Sequence, residues 1–156
     1  MKITIAKAIT GQIDDCVKIL QDSVIGNMYF SDYEKAKTML VDAVYKNNLY
    51  TALSADNECL GFIYYMSNGV FGSYPYLHII AVKETHRSQG IGKQLIKHFE
   101  ENSSNYTITK CFLTVDDFNP IAKKFYENLG YQCVGALPDF YRKGSVSYLM
   151  MKEISK

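Results

Sequence analysis

The sequence contains no tryptophan, only three prolines among 156 residues, and no apolar run near the roughly 18 residues that a membrane span requires. It also lacks an excess of one charge, since 17 basic and 16 acidic residues give a formal net charge of +1. A balanced chain without a basic tail does not favour nucleic acid as its main partner. With 47% hydrophobic residues at this length, we expect one globular domain over residues 1–156.

Cysteine occurs four times, and no two cysteines form a Cys-x-x-Cys pair or join histidine at zinc spacing. The four are Cys16, Cys59, Cys111 and Cys133. We therefore expect reduced thiols and no bound metal. The chain alternates apolar and polar residues at its start and soon reaches an acidic pair, which the apolar run of a secretory signal would not tolerate. We expect a soluble, cytoplasmic protein with no membrane partner.

Hydrophobic periodicity predicts seven strands and four helices. Alternating or short apolar runs mark the strands, at residues 3–8, 49–54, 59–66, 76–82, 111–115, 131–136 and 146–152. Helically spaced apolar stripes mark the helices, at residues 13–24, 36–44, 91–99 and 121–129. Only the middle of the chain alternates strand and helix in the way that is typical of parallel pairing. We expect an α/β fold, a single central mixed sheet of about seven strands with about four helices on both faces.

Capping residues mark three ends of two helices. Asn119 is placed to cap the last helix, Pro120 takes its first position, and Gly130 ends it. Ser31 and Glu34 have the spacing of a capping box at the start of the second helix.

A glycine-bearing segment lies directly between the strand at 76–82 and the helix that follows. It reads Arg87, Ser88, Gln89, Gly90, Ile91, Gly92 and Lys93. Unpaired N–H groups and the positive dipole at a helix start attract phosphate oxygens, and glycine lets a ligand approach the main chain closely. Two glycines with basic neighbours therefore suit a pyrophosphate. On the loop alone, a turn that merely begins a helix is an equally good interpretation.

Two other phosphate loops do not fit this segment. A P-loop would need glycine at position 87 and serine or threonine after the lysine, whereas the chain has Arg87 and Gln94. A dinucleotide fingerprint beginning at Gly90 would need glycine or alanine at position 95, where the chain has Leu95. The sequence therefore favours neither NTP hydrolysis nor NAD binding.

Two stretches together resemble a known superfamily. Residues 77–92, LHIIAVKETHRSQGIG, resemble the acetyl-CoA signature of the GCN5-related N-acetyltransferases (GNAT), in which Arg or Gln, two residues, Gly, one residue, and Gly or Ala follow the fourth strand. Residues 119–131, NPIAKKFYENLGY, resemble the superfamily's other characteristic stretch. The predicted order of elements is similar to its topology over nearly the whole chain. Glu84 departs from the pattern, since many members carry proline there, but the phosphate loop begins three residues later.

The resemblance implies a binding site for acetyl-CoA made mostly of backbone. In GNAT proteins the fourth and fifth strands splay apart, and the pantetheine arm lies between them, bonded to main-chain groups. By this resemblance Ile80, Ala81 and Val82 contact the pantetheine and the thioester, and the amides of residues 88–93 hold the pyrophosphate. Arg87 either pairs with phosphate or is a solvated loop charge. The remaining implied contacts are Asn119, Ala122 and Tyr126.

Acetyl transfer to an amine needs a base for the amine's proton and benefits from an acid for the departing thiolate. The resemblance makes Tyr126 the candidate acid, because a phenol of pKa ~10 keeps its proton at neutral pH. The alternative is a core aromatic beside Phe125. His78 is the candidate base, with an ordinary pKa of ~6.5. At this spot the chain resembles the aralkylamine acetyltransferases, which have a histidine on this strand. The alternative is a partly buried histidine bonded to a neighbour.

Other ionisable residues are weaker candidates. Glu84 could replace the base but has the setting of a solvated loop carboxylate. His86 and His98 have no partner evident from the sequence, and we expect them on the surface. Cys111 lies outside both motifs, and it keeps an acetyl-enzyme route open.

Acceptor choice in this fold usually comes from the link between the first two helices and from the loop between the last two strands. Both are aromatic here, and the candidate substrate-binding residues are Tyr29, Phe30 and Tyr141. Such walls favour an acceptor with an apolar or aromatic body. Asp32 or Asp139 could attract its ammonium group, although Asp32 is also placed as a first-turn carboxylate of a helix.

We therefore expect an N-acetyltransferase that moves an acetyl group from acetyl-CoA to a small-molecule or peptide amine by direct attack in a ternary complex. It would need no metal. Acetylation of a protein N-terminus or lysine is an alternative, and so is a non-catalytic acyl-CoA sensor. Dimers are common among similar proteins, so a homodimer is possible.

Overall fold

The computed structural model describes residues 1–155 and contains seven strands and five α-helices. The strands are β1 Thr4–Lys7, β2 Leu49–Leu53, β3 Cys59–Val70, β4 Tyr74–Val82, β5 Lys110–Asp116, β6 Gln132–Pro138 and β7 Val146–Glu153. The helices are α1 Ile13–Gln21, α2 Val24–Tyr29, α3 Tyr33–Tyr45, α4 Ile91–Ser103 and α5 Pro120–Asn128. Short 3-10 turns precede α1 and follow β4, at Thr10–Gln12 and Glu84–His86. Within the described residues, no helix has both the length and the apolarity to cross a membrane.

The seven strands form one mixed sheet in the order β1-β2-β3-β4-β5-β7-β6. The pairs β1/β2, β2/β3, β5/β7 and β6/β7 are antiparallel, and β4/β5 is parallel. The expected mixed sheet is confirmed. The alternation of strand and helix predicts a parallel neighbour correctly only for β4 and β5. The next strand, β6, runs in the same direction as β5, but β7 lies between them and pairs with both.

The ladder between β4 and β5 is short. It contains two pairs, Tyr76 with Phe112 and Leu77 with Leu113, and no described residue of β5 pairs with β4 beyond Leu77. Towards β3 the end of β4 is held closely, because the Lys83 amide donates to the Leu60 carbonyl at 2.8 Å. A parallel ladder that stops early leaves backbone groups along one edge of β4 available to a ligand.

Residue contacts divide the described chain into two compact units. The first unit comprises Met1–Tyr65 and Ile79–Phe99, and the second comprises Met66–His78 and residues 100–155. In the first unit every β3 residue from Cys59 to Tyr65 is buried, so both faces of this strand are covered. Leu113 and Met150, which are paired across β5 and β7, are fully buried in the core of the second unit.

The first predicted helix, at residues 13–24, is interrupted in the structure. The apolar period runs through Val24, but α1 ends at Gln21 and α2 begins at Val24. A Cβ on Gly26 would lie 1.6 Å from the Leu20 carbonyl oxygen, so glycine permits the chain to fold back on itself here. Ser23 Oγ accepts from the Gly26 amide at 3.0 Å and caps α2. This break produces a fifth helix where the sequence predicts about four.

Two other predicted boundaries are shifted. The predicted capping box at Ser31 and Glu34 is wrong by one residue, because Asp32 caps α3 by accepting from the Lys35 amide at 3.1 Å. The strands β3 and β4 are longer than the apolar runs indicate, because β3 continues through exposed Ser67, Asn68 and Gly69 to Val70 and β4 begins two residues earlier, at Tyr74.

Candidate active site

The glycine-bearing loop combines a left-handed backbone with open space at the start of α4. Ser88 and Gly90 both have left-handed backbones, with φ of 62° and 82°. The Gly90 carbonyl accepts the first helical bond of α4, from the Gln94 amide at 3.1 Å, so the amides of residues 91–93 have no acceptor within the helix. A Cβ added to Gly90 would meet no atom within 4 Å. Open space, unpaired N–H donors and the positive end of the helix dipole fit a phosphate group.

Arg87 has a role that sequence reasoning missed. Its Nε donates to the Val82 carbonyl at 3.2 Å, and its Nη2 donates to the Asp22 carbonyl at 2.9 Å. The side chain therefore connects the start of the loop to the end of β4 and to Asp22, the residue that follows α1. The sequence offered a phosphate ligand or a solvated charge, whereas the structure shows a side chain that bonds two backbone carbonyls.

The strand β4 alternates half-exposed and buried residues without interruption over its nine positions. His78, Ile80 and Val82 fall on the half-exposed set, and Ile79 and Ala81 on the buried set. This agrees with the predicted common face of His78, Ile80 and Val82 and shows no bulge in the alternation. A Cβ on Gly61 of β3 would lie 2.8 Å from the Ala81 carbonyl oxygen, so the glycine allows β3 to approach β4 closely here.

Burial lowers the pKa of His78 below its ordinary value of 6.5. The imidazole is therefore neutral at neutral pH, which is the form that can accept a proton. Its ring centroid lies 6.2 Å from that of Tyr76, two residues earlier on the strand.

Tyr76 is the centre of a cluster of hydroxyl groups that sequence reasoning missed. Its Oη lies 2.7 Å from Thr114 Oγ1 on β5 and 2.9 Å from Tyr141 Oη, in the loop between β6 and β7. Burial raises the pKa of Tyr76 well above its ordinary value, so the hydroxyl keeps its proton. Of the three residues, only Tyr141 has a sequence signal, because it lies in an aromatic loop.

Tyr126 is held at the end of α5 by the motif that ends the helix. Its carbonyl accepts from the Tyr131 amide at 3.1 Å, and the Glu127 carbonyl accepts from Gly130 at 3.0 Å, with Gly130 at a φ of 95°. These two bonds form a Schellman motif and confirm the predicted helix end. Tyr126 is 7% exposed and its ring meets that of Tyr131 edge-on at 5.9 Å. Burial raises the pKa of Tyr126, so the phenol remains protonated.

The start of α5 also follows the sequence prediction. Asn119 Oδ1 accepts from the Ala122 amide at 3.3 Å, and Pro120 is the first helical residue. Asn119 and Ala122 are two of the residues that the resemblance assigns to the cofactor, and this bond between them is a helix cap.

The predicted acceptor residues lie in both units. In the first unit, Tyr29 is the last residue of α2 and Phe30 follows it, with their rings edge-on at 6.4 Å. Gln21 Nε2 fixes this segment by donating to the Phe30 carbonyl at 3.1 Å. In the second unit, Tyr141 is 47% exposed and packs edge-on against Phe140 at 4.7 Å.

The two aspartates near these aromatics accept hydrogen bonds from backbone groups. Asp32 caps α3, and Asp139 Oδ1 accepts from the Gly144 amide at 2.6 Å within its own loop. Each carboxylate thus helps to fix a loop, which agrees with the helix-start interpretation of Asp32.

Three of the weaker candidates, His86, His98 and Cys111, differ in burial. His86 is half-exposed, and its Nδ1 lies 2.9 Å from Thr85 Oγ1. The surface position expected for His98 is wrong, because its half-buried ring lies 4.7 Å from that of Tyr50. The thiol of Cys111 is fully buried, which raises its pKa to about 11 and keeps it protonated at neutral pH. An acetyl-enzyme route through Cys111 is therefore disfavoured. No group of three or more potential metal ligands occurs within residues 1–155.

Comparison with known proteins agrees with the fold and with the motifs. Residues 18–131 match the model of the acetyltransferase (GNAT) family, and the chain belongs to this family. It is similar to an uncharacterized N-acetyltransferase of Methanocaldococcus jannaschii, with 34% identity over 114 residues that cover 71% of this chain and 69% of the relative. These relationships make the protein an N-acetyltransferase enzyme.

Solved structures show the same fold at low sequence identity. Ard1 from Thermoplasma volcanium superposes with a TM-score of 0.81 at 20% identity, covering 100% of both chains. An aminoglycoside 6'-N-acetyltransferase complexed with coenzyme A has a TM-score of 0.72 at 21% identity, covering 99% of this chain and 97% of that one.

Proposed function

We propose that the protein transfers an acetyl group from acetyl-CoA to a primary amine by direct attack. The observation that carries this proposal is the loop at residues 88–93, where left-handed Ser88 and Gly90 precede unpaired helix amides and open space. The short ladder between β4 and β5 is a second support, because it leaves one edge of β4 for the pantetheine arm.

When bound, acetyl-CoA would supply the acetyl group as a thioester. The amides of residues 88–93 would hold its diphosphate, and the backbone of Ile80, Ala81 and Val82 would bind the pantetheine. Arg87 would hold the start of the loop against the end of β4 through its bond to the Val82 carbonyl. These contacts use main-chain groups, so the loop's shape matters more than its side chains.

Two side chains of the second unit would accept and donate the protons of the reaction. His78 would accept the amine's proton, because burial keeps its imidazole neutral. Tyr126 would donate a proton to the leaving sulfur, because burial keeps its phenol protonated. The buried and protonated Cys111 supports direct attack over an acetyl-enzyme route.

The acceptor would have an apolar or aromatic body. Tyr29 and Phe30 in the first unit and Tyr141 in the second support this, because aromatic side chains favour apolar or aromatic ligands. Hydrogen bonds fix the segments on which these residues lie. The free state of all four cysteines supports a reducing, cytoplasmic location.

The proposed reaction is tested by incubating the purified protein with acetyl-CoA and a panel of amines while thiol release is measured. The panel would contain 2-phenylethylamine, benzylamine, butylamine, spermidine, a peptide with a free N-terminus and a lysine peptide. We expect thiol release with small amines, accompanied by an equal amount of acetylated product. Binding of coenzyme A without thiol release above background for any acceptor would contradict catalysis and indicate a sensor. Release with peptides alone would contradict a small-molecule acceptor.

A further inference from the structure

Three hydroxyl groups join β4, β5 and the loop between β6 and β7 within the second unit. Tyr76 Oη lies 2.7 Å from Thr114 Oγ1 and 2.9 Å from Tyr141 Oη. Because a phenol can donate one hydrogen bond while accepting others, Tyr76 can bond both partners at once. Thr114 and Tyr141 are 38 and 65 residues away from Tyr76 in the sequence, so only the fold brings these groups together.

The position of Tyr76 is itself tightly constrained. A Cβ on Gly69 of β3 would lie 2.6 Å from the Cβ of Tyr76, so only glycine allows the two strands to approach this closely. The Tyr76 ring also lies 6.2 Å from that of His78. The position of Tyr76 next to His78, the candidate base, is therefore fixed.

The loop at residues 139–145 is closed at its base by its own bonds. The Asp139 amide donates to the Ser145 carbonyl at 2.9 Å, and the Gly144 amide donates to Asp139 Oδ1 at 2.6 Å. Asp139 and Gly144 both have left-handed backbones, with φ of 54° and 84°. These bonds set the loop's shape, whereas the Tyr141 hydroxyl connects its tip to the sheet.

We infer that Tyr76 and Thr114 are positioning residues that hold Tyr141, and with it the β6–β7 loop, beside His78 and so fix one wall of the acceptor site. The inference that Tyr76 holds Tyr141 is argued from the observed hydroxyl chain, whereas the effect on the acceptor rests on the proposed function. Removing the Tyr76 hydroxyl should free the tip of the loop while leaving the base closed.

Limited trypsin digestion tests the holding of the loop without any substrate. The loop contains exposed Arg142 and Lys143, which are trypsin sites. Cleavage after them depends on how often the loop opens. We expect Tyr76→Phe and Thr114→Val to be cleaved about three- to tenfold faster than the wild type, the range that loss of a neutral hydrogen bond supports.

Tyr74→Phe is the matched control, because Tyr74 lies on the same strand, packs its ring on Phe112 at 5.6 Å and is outside the hydroxyl chain. It should be cleaved at the wild-type rate. Equal cleavage of Tyr76→Phe and the wild type would overturn the inference. Equal acceleration in Tyr74→Phe would also overturn it, because the effect would then reflect general loosening of β4.

Kinetics test the link to the acceptor. With an amine that supports thiol release, Tyr76→Phe should raise the KM for that amine about three- to tenfold and leave the KM for acetyl-CoA unchanged. An unchanged amine KM would overturn the role in acceptor binding. If no amine supports thiol release, the proposed function fails, and the trypsin experiment still decides whether Tyr76 holds the loop.

Discussion

The two units of the chain supply different chemistry to the proposed reaction. The first unit carries a loop of consecutive residues, 88–93, whose backbone N–H groups are the proposed binding site for the diphosphate. The second unit carries side chains from distant parts of the sequence, namely His78, Tyr126 and the hydroxyl chain of Tyr76, Thr114 and Tyr141. The first arrangement depends on backbone shape, and the second depends on which side chains the fold brings together.

This difference leads to separable expectations. Changes to the loop should alter acetyl-CoA binding, whereas changes to the side chains of the second unit should alter turnover or acceptor binding. Variants from each region, measured by the same binding and rate assays, therefore test whether acetyl-CoA binding and turnover depend on different units.

Gly90→Asp should have the largest effect on binding. The new carboxylate would face the diphosphate, and at about 5 Å with an effective dielectric near 20 the repulsion corresponds to roughly a 100-fold loss of affinity or more. Calorimetry with coenzyme A measures the change. Gly72→Asp is a matched control, because Gly72 also has a positive φ, of 66°, and open space, but lies in the turn between β3 and β4. Similar affinity losses in both variants would mean that backbone strain, and not the loop, controls binding.

Tyr126→Phe should have the largest effect on turnover. Loss of a general acid lowers a rate by about 100-fold or more, and the phenyl ring should keep the packing against Tyr131. We expect a lower kcat with an unchanged dissociation constant for acetyl-CoA, as measured by thiol release and calorimetry. Tyr106→Phe, at a fully exposed tyrosine of the same unit, should leave both unchanged. A normal kcat in Tyr126→Phe would remove this residue from the mechanism.

His78→Ala should have a smaller effect that depends on pH. Because burial lowers the pKa of His78 below 6.5, its neutral form persists through neutral pH and is lost only as the pH falls below that value. We expect a rate loss of about tenfold to thirtyfold at pH 7, decreasing to about threefold near pH 9.5, where more of the amine is already unprotonated.

The pH profile of kcat/KM for the wild type and His78→Ala provides the measurement. A loss that stays constant across pH would indicate that His78 supports packing and is not the base.

Arg87→Gln should have the smallest effect on the reaction. It removes the bonds to the Val82 and Asp22 carbonyls, which should lower the free energy of unfolding by about 1–2 kcal/mol and weaken acetyl-CoA binding about threefold. Arg87→Lys keeps the charge but cannot reproduce the two-carbonyl geometry, so it should behave like Arg87→Gln in thermal unfolding. An Arg87→Gln variant with normal stability but poor binding, rescued by lysine, would instead indicate a direct phosphate contact.

Sequence patterns predict both ends of the last helix well because the relevant bonds are local. Asn119 caps a residue three positions away, and Gly130 ends a helix through bonds to the preceding turn. The hydroxyl chain was not predictable, because nothing near Tyr76 in the sequence indicates Thr114 or Tyr141. The break at Gly26 was missed for a similar reason, since the apolar period continues through it while the backbone packs against Leu20.

The position of β6 in the sheet was also beyond local reasoning. The alternation of strand, helix and strand gives β6 the correct direction but cannot show that β7, the last strand in the chain, lies between them. Side-chain roles at Arg87 were likewise open, because its two carbonyl partners lie on segments 5 and 65 residues away.

The most direct test of the account is titration of the wild-type protein with acetyl-CoA in a calorimeter. If the backbone at residues 88–93 binds a diphosphate, the titration will show saturable uptake of one ligand per chain, and inorganic pyrophosphate will compete with it. A titration without saturable heat, from protein whose folding has been verified by circular dichroism, would contradict the account.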